Sequence, residues 1–175
     1  SMKKTLSNIS VKGRLEPIKV SDKFNVLIDY AYQGIAMENV IKTIRDANPK
    51  RIVVVFGCGG NRSKQRRYDC GRIAGELADY CIITADNPRY EDNNDIIDDI
   101  LSTLKPTGVE YTIIPDRKEA IKYSIVNAKP GDVVMVLGKG HEDYQEIKGV
   151  RYPFDERVVI KDILDNLTDE EKNNL

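Results

Sequence analysis

Short apolar runs without polar alternation constrain the fold of this 175-residue chain more than any other feature. The clearest are Ile-Val-Val-Val-Phe at residues 52–56 and Val-Val-Met-Val-Leu at residues 133–137. A strand with one face in water alternates polar and apolar residues, whereas a strand buried on both faces is a continuous apolar run. Between the runs, apolar residues recur at helical spacing. The pattern therefore predicts a sheet covered by helices on both faces.

We predict a Rossmann-like α/β domain with three layers and about six mostly parallel strands. Strands are expected at residues 24–28, 52–56, 80–84, 111–114 and 133–137, and a hairpin at residues 144–154. Helices are expected at residues 35–47, 67–78, 96–104 and 158–167, and another begins at Asp116, a favourable N-cap.

The chain is interpreted as one domain with short flanking segments. Residues 1–10 are expected to be a tag or linker remnant, residues 11–168 the domain, and residues 169–175 a frayed tail. Residues 11–17 include a candidate short edge element. Ser1 before Met2 is typical of a cloning remnant, so the chain is interpreted as a piece of a longer protein.

Composition narrows the partners and the compartment. Lys and Arg number 27 against 28 Asp and Glu, a net charge of −1, which does not favour a nucleic-acid partner. No apolar stretch approaches the roughly 18 residues of a membrane span, and the polar N-terminus does not resemble a signal peptide. The three cysteines form no CxxC pair and are expected as reduced thiols. We predict a cytoplasmic, monomeric protein without membrane contact.

Two polar loops directly follow two of the predicted strands. Asp86-Asn87-Pro88-Arg89 follows the strand at 80–84, and Gly138-Lys139-Gly140-His141-Glu142 follows the strand at 133–137. In an open parallel sheet, ligands bind at the carboxyl ends of the strands. Arg89 suits a carboxylate because its guanidinium forks onto two oxygens, and Glu142 or Asp86 suits an ammonium group. The two loops together predict a site for a small zwitterion.

A glycine-rich loop at residues 57–62 has two interpretations. It suits a phosphate at a helix N-terminus, and it also suits a simple turn that needs positive φ. Arg62 stands where the third glycine of the dinucleotide fingerprint belongs, so a dinucleotide site is not expected. The basic cluster formed by Arg62, Lys64, Arg66 and Arg67 is either a solvated loop or an anion site.

Two further motifs do not support nucleotide or metal chemistry by themselves. Gly138-Lys139-Gly140 is not a Walker A loop, because Gly140 replaces the required Ser or Thr. The single histidine, His141, and the scattered cysteines predict no metal site.

Five segments in chain order carry a family resemblance. They are Gly13-Arg14-Leu15-Glu16, Asp29-Tyr30-Ala31, Phe56-Gly57-Cys58-Gly59-Gly60-Asn61-Arg62, Asp86-Asn87-Pro88-Arg89 and Gly138-Lys139-Gly140-His141-Glu142-Asp143-Tyr144-Gln145. Together they resemble the C-terminal domain of the Mur ligases, of the MurE type that adds meso-diaminopimelate. Each segment is weak alone, but five in register along nearly the whole chain make the resemblance specific.

The resemblance implies an ATP-dependent amide ligase of peptidoglycan precursor synthesis. In this family a substrate carboxylate is phosphorylated, and the amine of the incoming amino acid attacks the acyl phosphate. The implied substrates are meso-diaminopimelate and UDP-N-acetylmuramoyl-L-alanyl-D-glutamate. ATP and Mg²⁺ are expected mainly on a central domain that this chain lacks, so the chain alone is not expected to catalyse.

The same resemblance places seven residues at the amino acid: Arg62, Asp86, Asn87, Pro88, Arg89, Gly138 and Glu142. Arg62 is implied at one carboxylate, and Asn87 and Arg89 at the distal end, with Arg89 on the distal carboxylate. The Gly138 carbonyl and Glu142 are implied at the distal ammonium, while Asp86 orients its loop.

Near the nucleotide, the resemblance implies Arg14 at the ATP phosphates and Asp29 at the ribose. The family pattern DYAHTPDA reads DYAYQGIA at residues 29–36, so Tyr32 replaces the histidine. Three hypotheses follow: the amino-acid-binding domain of a ligase, a paralogue or non-catalytic module that binds diaminopimelate or muropeptides, and a generic nucleotide-binding domain. The missing dinucleotide fingerprint disfavours the third.

Overall fold

The computed structural model describes residues 13–175, and its centre is a six-stranded sheet. The strands are β1 (Glu16–Ile18), β2 (Asn25–Asp29), β3 (Arg51–Phe56), β4 (Tyr80–Ile83), β5 (Glu110–Ile113) and β6 (Asp132–Leu137). Their order across the sheet is β1-β2-β6-β3-β4-β5. β1 is antiparallel to β2, and all other neighbours are parallel. The predicted sheet of about six mostly parallel strands is confirmed.

Helices cover both faces of this sheet. They are α1 (Gly34–Asp46), α2 (Lys64–Leu77), α3 (Asn93–Leu104), α4 (Arg117–Val126), α5 (Glu156–Asp165) and α6 (Asp169–Asn173), with a 3-10 turn (Lys105–Thr107) after α3. The buried side chains of α1, α2 and α3 share one apolar cluster with alternate strand residues such as Val54 and Met135. Those of α4 and α5 share a second cluster with the intervening residues, such as Val55 and Val134. The three-layer prediction is therefore confirmed.

Right-handed crossovers explain which face each helix covers. From β2 to β3, β4 and β5 the chain moves one way across the sheet, and α1, α2 and α3 lie on one face. From β5 back to β6 it moves the other way, and α4 lies on the opposite face. Since such connections are almost always right-handed, a reversal of direction changes the face. The reversal inserts β6 between β2 and β3, so the loops after these strands meet at one edge.

A separate hairpin consists of β7 (Tyr144–Ile147) and β8 (Val150–Pro153), which pair antiparallel as predicted. It contacts the loop after β4, because Arg89 forms a parallel bridge with Ile147. The Arg89 N–H donates to the Glu146 carbonyl at 3.0 Å, and the Lys148 N–H donates to the Arg89 carbonyl at 2.7 Å. The hairpin thus fixes the backbone of the predicted binding loop.

The structure differs from the prediction at several helix boundaries. α2, α3 and α5 begin two or three residues earlier than predicted, at Lys64, Asn93 and Glu156, because Ser63, Asp92 and Asp155 accept hydrogen bonds as N-caps. Residues 169–175 were predicted to fray but contain α6, which a capping box between Thr168 and Glu171 begins.

The C-terminal residue also contacts the rest of the fold. The Ser21 hydroxyl donates to the carbonyl of Leu175, which packs against the second apolar cluster. The candidate edge element at residues 11–17 overlaps β1. Residues 1–12, which include the predicted tag or linker remnant, lie outside the described residues.

Two isoleucines of α1 provide a matched test of the first apolar cluster. Ile41 is fully buried, whereas Ile35 is 74% exposed. We expect Ile41→Ala to lower the free energy of unfolding by about 2–5 kcal/mol, because the cavity it leaves is not refilled. Ile35→Ala is expected to change it by less than about 0.5 kcal/mol. Denaturant unfolding of both variants measures the difference, and similar losses would contradict the assigned faces of α1.

Candidate functional site

The loops after β2, β3, β4 and β6 enclose a cavity of about 220 Å³. Six of the seven residues predicted at the amino acid line it: Arg62, Asp86, Asn87, Arg89, Gly138 and Glu142. Sequence analysis did not place the other lining residues there: Tyr30, Tyr32, Cys58, Gly59 and Arg66. Each of these follows the end of β2 or β3 within a few residues, except Arg66 in α2. Ligands of open α/β sheets bind at the carboxyl ends of the strands, so this tendency predicts most of these positions.

Pro88 is the predicted residue that does not line the cavity. Its carbonyl lies where a side chain on Gly60 would be, 1.8 Å from an ideal Cβ. The Gly60 N–H donates to the Asn87 carbonyl at 2.8 Å. Position 60 therefore requires glycine so that the loops after β3 and β4 can pack backbone to backbone. Pro88 contributes to the shape of the site through this contact.

Lys139 is a fully buried cation beneath the cavity. Its Nζ donates to Asn87 Oδ1 and to the Tyr144 carbonyl, each at 2.8 Å. It also lies 3.2 Å from Asp86 Oδ1 and 3.7 Å from Glu142 Oε2. Burial lowers the pKa of Lys139, while the Asp86 carboxylate opposes that shift. Lys139 thus links the two polar loops that the sequence singled out separately.

Asn87 lies between this cation and Glu142. Its Oδ1 accepts from Lys139 Nζ and from the Glu146 N–H at 3.0 Å, and its Nδ2 donates to Glu142 Oε2 at 3.2 Å. On the neighbouring side, an ideal Cβ on Gly138 lies 3.0 Å from Asp86 Oδ2, at a backbone φ of +114°. The predicted Gly138 therefore lets the carboxylate of Asp86 approach the chain closely.

Arg89 is held on the opposite side by partners within the chain. Its Nη1 donates to the Gly60 carbonyl at 3.0 Å, and its Nε lies 3.4 Å from Glu146 Oε2. Its backbone has a φ of +54°, which is unusual for a residue with a side chain. The hydrogen bonds to the hairpin hold this conformation, so the guanidinium is positioned before any ligand binds.

The outer rim of the cavity carries two arginines, the exposed Arg62 and the half-buried Arg66, and two aromatic rings. The Arg66 guanidinium lies 5.3 Å from the centre of the Tyr32 ring, and the Tyr32 and Tyr30 rings meet edge to face at 5.1 Å. Arg62 is exposed and donates to the Asn61 carbonyl at 3.0 Å. Burial and the Glu142 carboxylate raise the pKa of Tyr30. The rim of the cavity is therefore positively charged, whereas its floor carries the carboxylates of Asp86 and Glu142.

Arg67 fits neither interpretation of the basic cluster. It is buried, with Nη1 2.9 Å from Asp99 Oδ2, and Nη2 pairs with Glu91. It fastens α2 to α3 and does not face the cavity. Lys64 is exposed, so of the four basic residues only Arg62 and Arg66 line the cavity.

The two residues predicted at the nucleotide lie beside the site. Asp29 is buried, and its two carboxylate oxygens accept from the Leu15 and Ala31 N–H groups at 2.8 Å each. It thereby fastens residues 13–15 to the end of β2, which leaves the predicted ribose contact without support from this geometry. Arg14 is exposed, with its guanidinium 5.4 Å from the centre of the Tyr30 ring.

Between residues 13 and 175, no group of three His, Cys, Asp or Glu side chains is arranged to hold a metal ion. Within the same residues, no helix has the length and apolar character needed to cross a membrane.

The fold and the site define an open α/β domain with a polar cavity at the carboxyl edge of its sheet. Residues 13–140 match the family model described as Mur ligase, glutamate ligase domain. The chain therefore belongs to the Mur ligase family, as the resemblance predicted.

Similar proteins include two ligases named UDP-N-acetylmuramoyl-L-alanyl-D-glutamate–2,6-diaminopimelate ligase. That of Caldanaerobacter subterraneus subsp. tengcongensis is 43% identical over 164 residues, which cover 94% of this chain and 34% of the relative. That of Aquifex aeolicus is 47% identical over 163 residues, covering 93% and 33%. The chain thus spans about a third of the length of these relatives.

Solved structures agree with this assignment. A structure of a UDP-N-acetylmuramoyl-L-alanyl-D-glutamate–2,6-diaminopimelate ligase aligns with a TM-score of 0.83 at 38% identity, covering 91% of this chain and 32% of that one. A murein peptide ligase from Psychrobacter arcticus aligns with a TM-score of 0.62 at 16% identity, covering 90% and 31%. The second likeness shows the fold alone.

The three cysteines are free and buried, which leads to a test of the packing around the cavity. Burial raises the pKa of Cys81 to about 12, and a hydrogen bond with Cys70, followed by burial, raises that of Cys58. At pH 8 the thiolate fraction of Cys81 is then roughly a thousand-fold smaller than that of a free thiol. We expect no thiol of the native protein to react rapidly with Ellman's reagent, and three to react after unfolding.

Val150→Cys serves as the control, because Val150 is half exposed in β8 and a thiol there should react quickly in the native protein. A rapidly reacting thiol in the unmodified native protein would contradict the burial of these cysteines.

Proposed function

We propose that this chain is the amino-acid-binding domain of an ATP-dependent ligase that adds meso-diaminopimelate to UDP-N-acetylmuramoyl-L-alanyl-D-glutamate. The observation that carries the proposal is the charge pattern of the cavity. Arg62 lies at its rim, Arg89 lies along one side, and Asp86 and Glu142 lie at its floor. A ligand with carboxylates at both ends and an ammonium at its inner end complements this pattern.

Each predicted residue takes a defined contact in this proposal. Arg62 binds the carboxylate at the reacting end of the amino acid. Arg89 and the Nδ2 group of Asn87 bind the distal carboxylate, and Glu142 with the Gly138 carbonyl binds the distal ammonium. Asp86 orients its loop through Lys139.

This chain spans about a third of the length of its relatives, so the proposed chemistry belongs to a longer protein that contains it. ATP phosphorylates the carboxylate of the nucleotide-linked dipeptide, and the amine of the bound amino acid attacks the acyl carbon and releases phosphate. ATP and Mg²⁺ are assigned to parts outside this chain, with Arg14 as the contact to the phosphates. The proposal places this monomeric enzyme in the cytoplasm.

L-Lysine lacks the distal carboxylate and is the natural competitor to test. Bound lysine would leave the half-buried Arg89 without a ligand carboxylate, which disfavours lysine. Arg89, however, already has the Gly60 carbonyl and Glu146 as partners, which reduces that penalty. The preference of this site for meso-diaminopimelate over L-lysine therefore also depends on Asn87.

The first test is a titration of the 15N-labelled 175-residue chain, followed by NMR. We expect meso-diaminopimelate to shift resonances of Arg62, Asn87 and Glu142 at concentrations where L-lysine does not. Arg89→Ala should weaken binding by about tenfold to a hundredfold, the range for a hydrogen bond between charged groups. Arg72→Ala, on the exposed side of α2, is the matched control and should not change binding. Equal shifts with both ligands would contradict the proposed specificity.

A second candidate is a non-catalytic module that binds diaminopimelate or muropeptides. Tyr32 favours it, because this residue replaces the family histidine in the loop implied beside the nucleotide. Tyr32 is also held in place by Tyr30 and Arg66. The cavity would then serve binding without amide formation.

ADP release by the longer protein separates the two candidates. For a ligase we expect release that requires both the nucleotide-linked dipeptide and meso-diaminopimelate. Arg89→Ala should raise the KM for diaminopimelate more than it lowers kcat, because it removes a contact made before and during reaction. Binding of diaminopimelate without ADP release, together with release restored by Tyr32→His, would favour the second candidate.

A further inference from the structure

Lys139 has no ligand contact in the proposal above, although it is fully buried at the floor of the cavity. An ammonium group has three donor hydrogens. Two of them go to Asn87 Oδ1 and to the Tyr144 carbonyl, while Asp86 Oδ1, 3.2 Å away, is an ion-pair partner that accepts no hydrogen bond of suitable geometry. Lys139 is fully buried and does not line the cavity, so it acts on a ligand through these neighbours.

The neighbour that it controls most directly is the Asn87 amide. Lys139 Nζ and the Glu146 N–H both donate to Oδ1, and this arrangement turns Nδ2 towards Glu142. If the amide were flipped, its NH₂ group would face the Lys139 ammonium and the Glu146 N–H, which are both donors. Its oxygen would then face the Glu142 carboxylate, which is an acceptor. Without the Lys139 ammonium, one of the two donors that prevent the flip is lost.

The fixed amide has a consequence for the ligand. One hydrogen of Nδ2 is directed to Glu142. Asn87 and Arg89 both line the cavity, so we infer that the second hydrogen of Nδ2 is available to a ligand there. Lys139 also balances one of the two carboxylates, Asp86 and Glu142. Among these three groups a single net negative charge remains, which matches one ammonium group.

We propose that Lys139 is a positioning residue that makes the site selective for a ligand whose far end carries both a carboxylate and an ammonium. It does so by holding the Asn87 NH₂ group towards the cavity and by lying closer to Asp86, at 3.2 Å, than to Glu142, at 3.7 Å, so that Glu142 is the carboxylate offered to the ligand ammonium. This inference rests on the proposed function, because meso-diaminopimelate has such an end and L-lysine does not.

The test compares selectivity in the 175-residue chain. Lys139→Met keeps a side chain of similar length and removes the charge. We expect the ratio of the Kd for L-lysine to the Kd for meso-diaminopimelate to fall by about tenfold, the value of one hydrogen bond to a charged group. Ile41→Ala, which destabilises the fold away from the cavity, should leave this ratio unchanged. An equal loss of affinity for both ligands in Lys139→Met, or no loss, would overturn the proposal.

A measurement without ligand separates this inference from the proposed function. In Lys139→Met the Glu146 amide should exchange its hydrogen faster, relative to the β3 amides, because its acceptor on Asn87 is no longer fixed. If the unmodified chain does not bind meso-diaminopimelate, the proposed binding fails. Unchanged Glu146 exchange would independently overturn the positioning role.

The unmodified chain provides a readout if Lys139→Met does not fold. With meso-diaminopimelate bound, we expect nuclear Overhauser effects between the ligand and the Asn87 Nδ2 protons and none to the Lys139 Nζ protons. Direct contact between the ligand and Lys139 Nζ would overturn the proposal, because Lys139 would then be a binding residue.

Discussion

The insertion of β6 between β2 and β3 is the constraint on which the rest of the structure depends. All six residues of β6 are buried, and they pair in parallel with both neighbours. Because β6 comes last among the parallel strands, its carboxyl end brings a late segment of the chain between two early ones. The loop at residues 138–142 therefore meets Tyr30 on one side and the loop after β4 on the other, and a cavity exists only because of this order.

Charged groups buried beneath the cavity maintain this geometry. Arg117 donates to the Ala85 carbonyl at 3.0 Å and to the Leu137 carbonyl at 2.9 Å, which ties the ends of β4 and β6 together from below. It pairs with Glu156, also fully buried, at 3.3 Å. Burial raises the pKa of Glu156, and the Arg117 charge opposes the shift. Loss of one partner of such a pair leaves an uncompensated charge, which typically costs about 3–5 kcal/mol.

The sequence predicts the layers of the fold well, because a continuous apolar run leaves a strand few alternatives to burial on both faces. It predicts helix starts less well. The first turns of α2 and α5 are polar, so apolar periodicity does not detect them, although Ser63 and Asp155 are N-cap residues in the sequence. The capping box of Thr168 and Glu171 is likewise a signal in the sequence for the start of α6. The family pattern brought six residues to the cavity, but it does not reveal which charges are buried.

Burial of Lys139, Arg67 and Asp29 could not be predicted from the sequence for a physical reason. Each is stabilised inside the protein by partners that are distant along the chain: Asp86 and Asn87 for Lys139, Glu91 and Asp99 for Arg67, and the Leu15 N–H for Asp29. A charged residue in isolation is expected at the surface. Only the meeting of several loops supplies enough hydrogen bonds to offset its desolvation.

The same difference in burial divides the cavity into two functional parts. At the floor, Asn87 and Asp86 are held by buried partners, so recognition there is set before a ligand arrives. At the rim, Arg62 is exposed and Arg66 is held mainly by its stacking on Tyr32. In the proposed reaction the distal end of the amino acid meets the rigid floor and its reacting end meets the adjustable rim. Under the proposed function, other parts of the longer protein would complete the rim, because the acyl phosphate would have to reach the amine there.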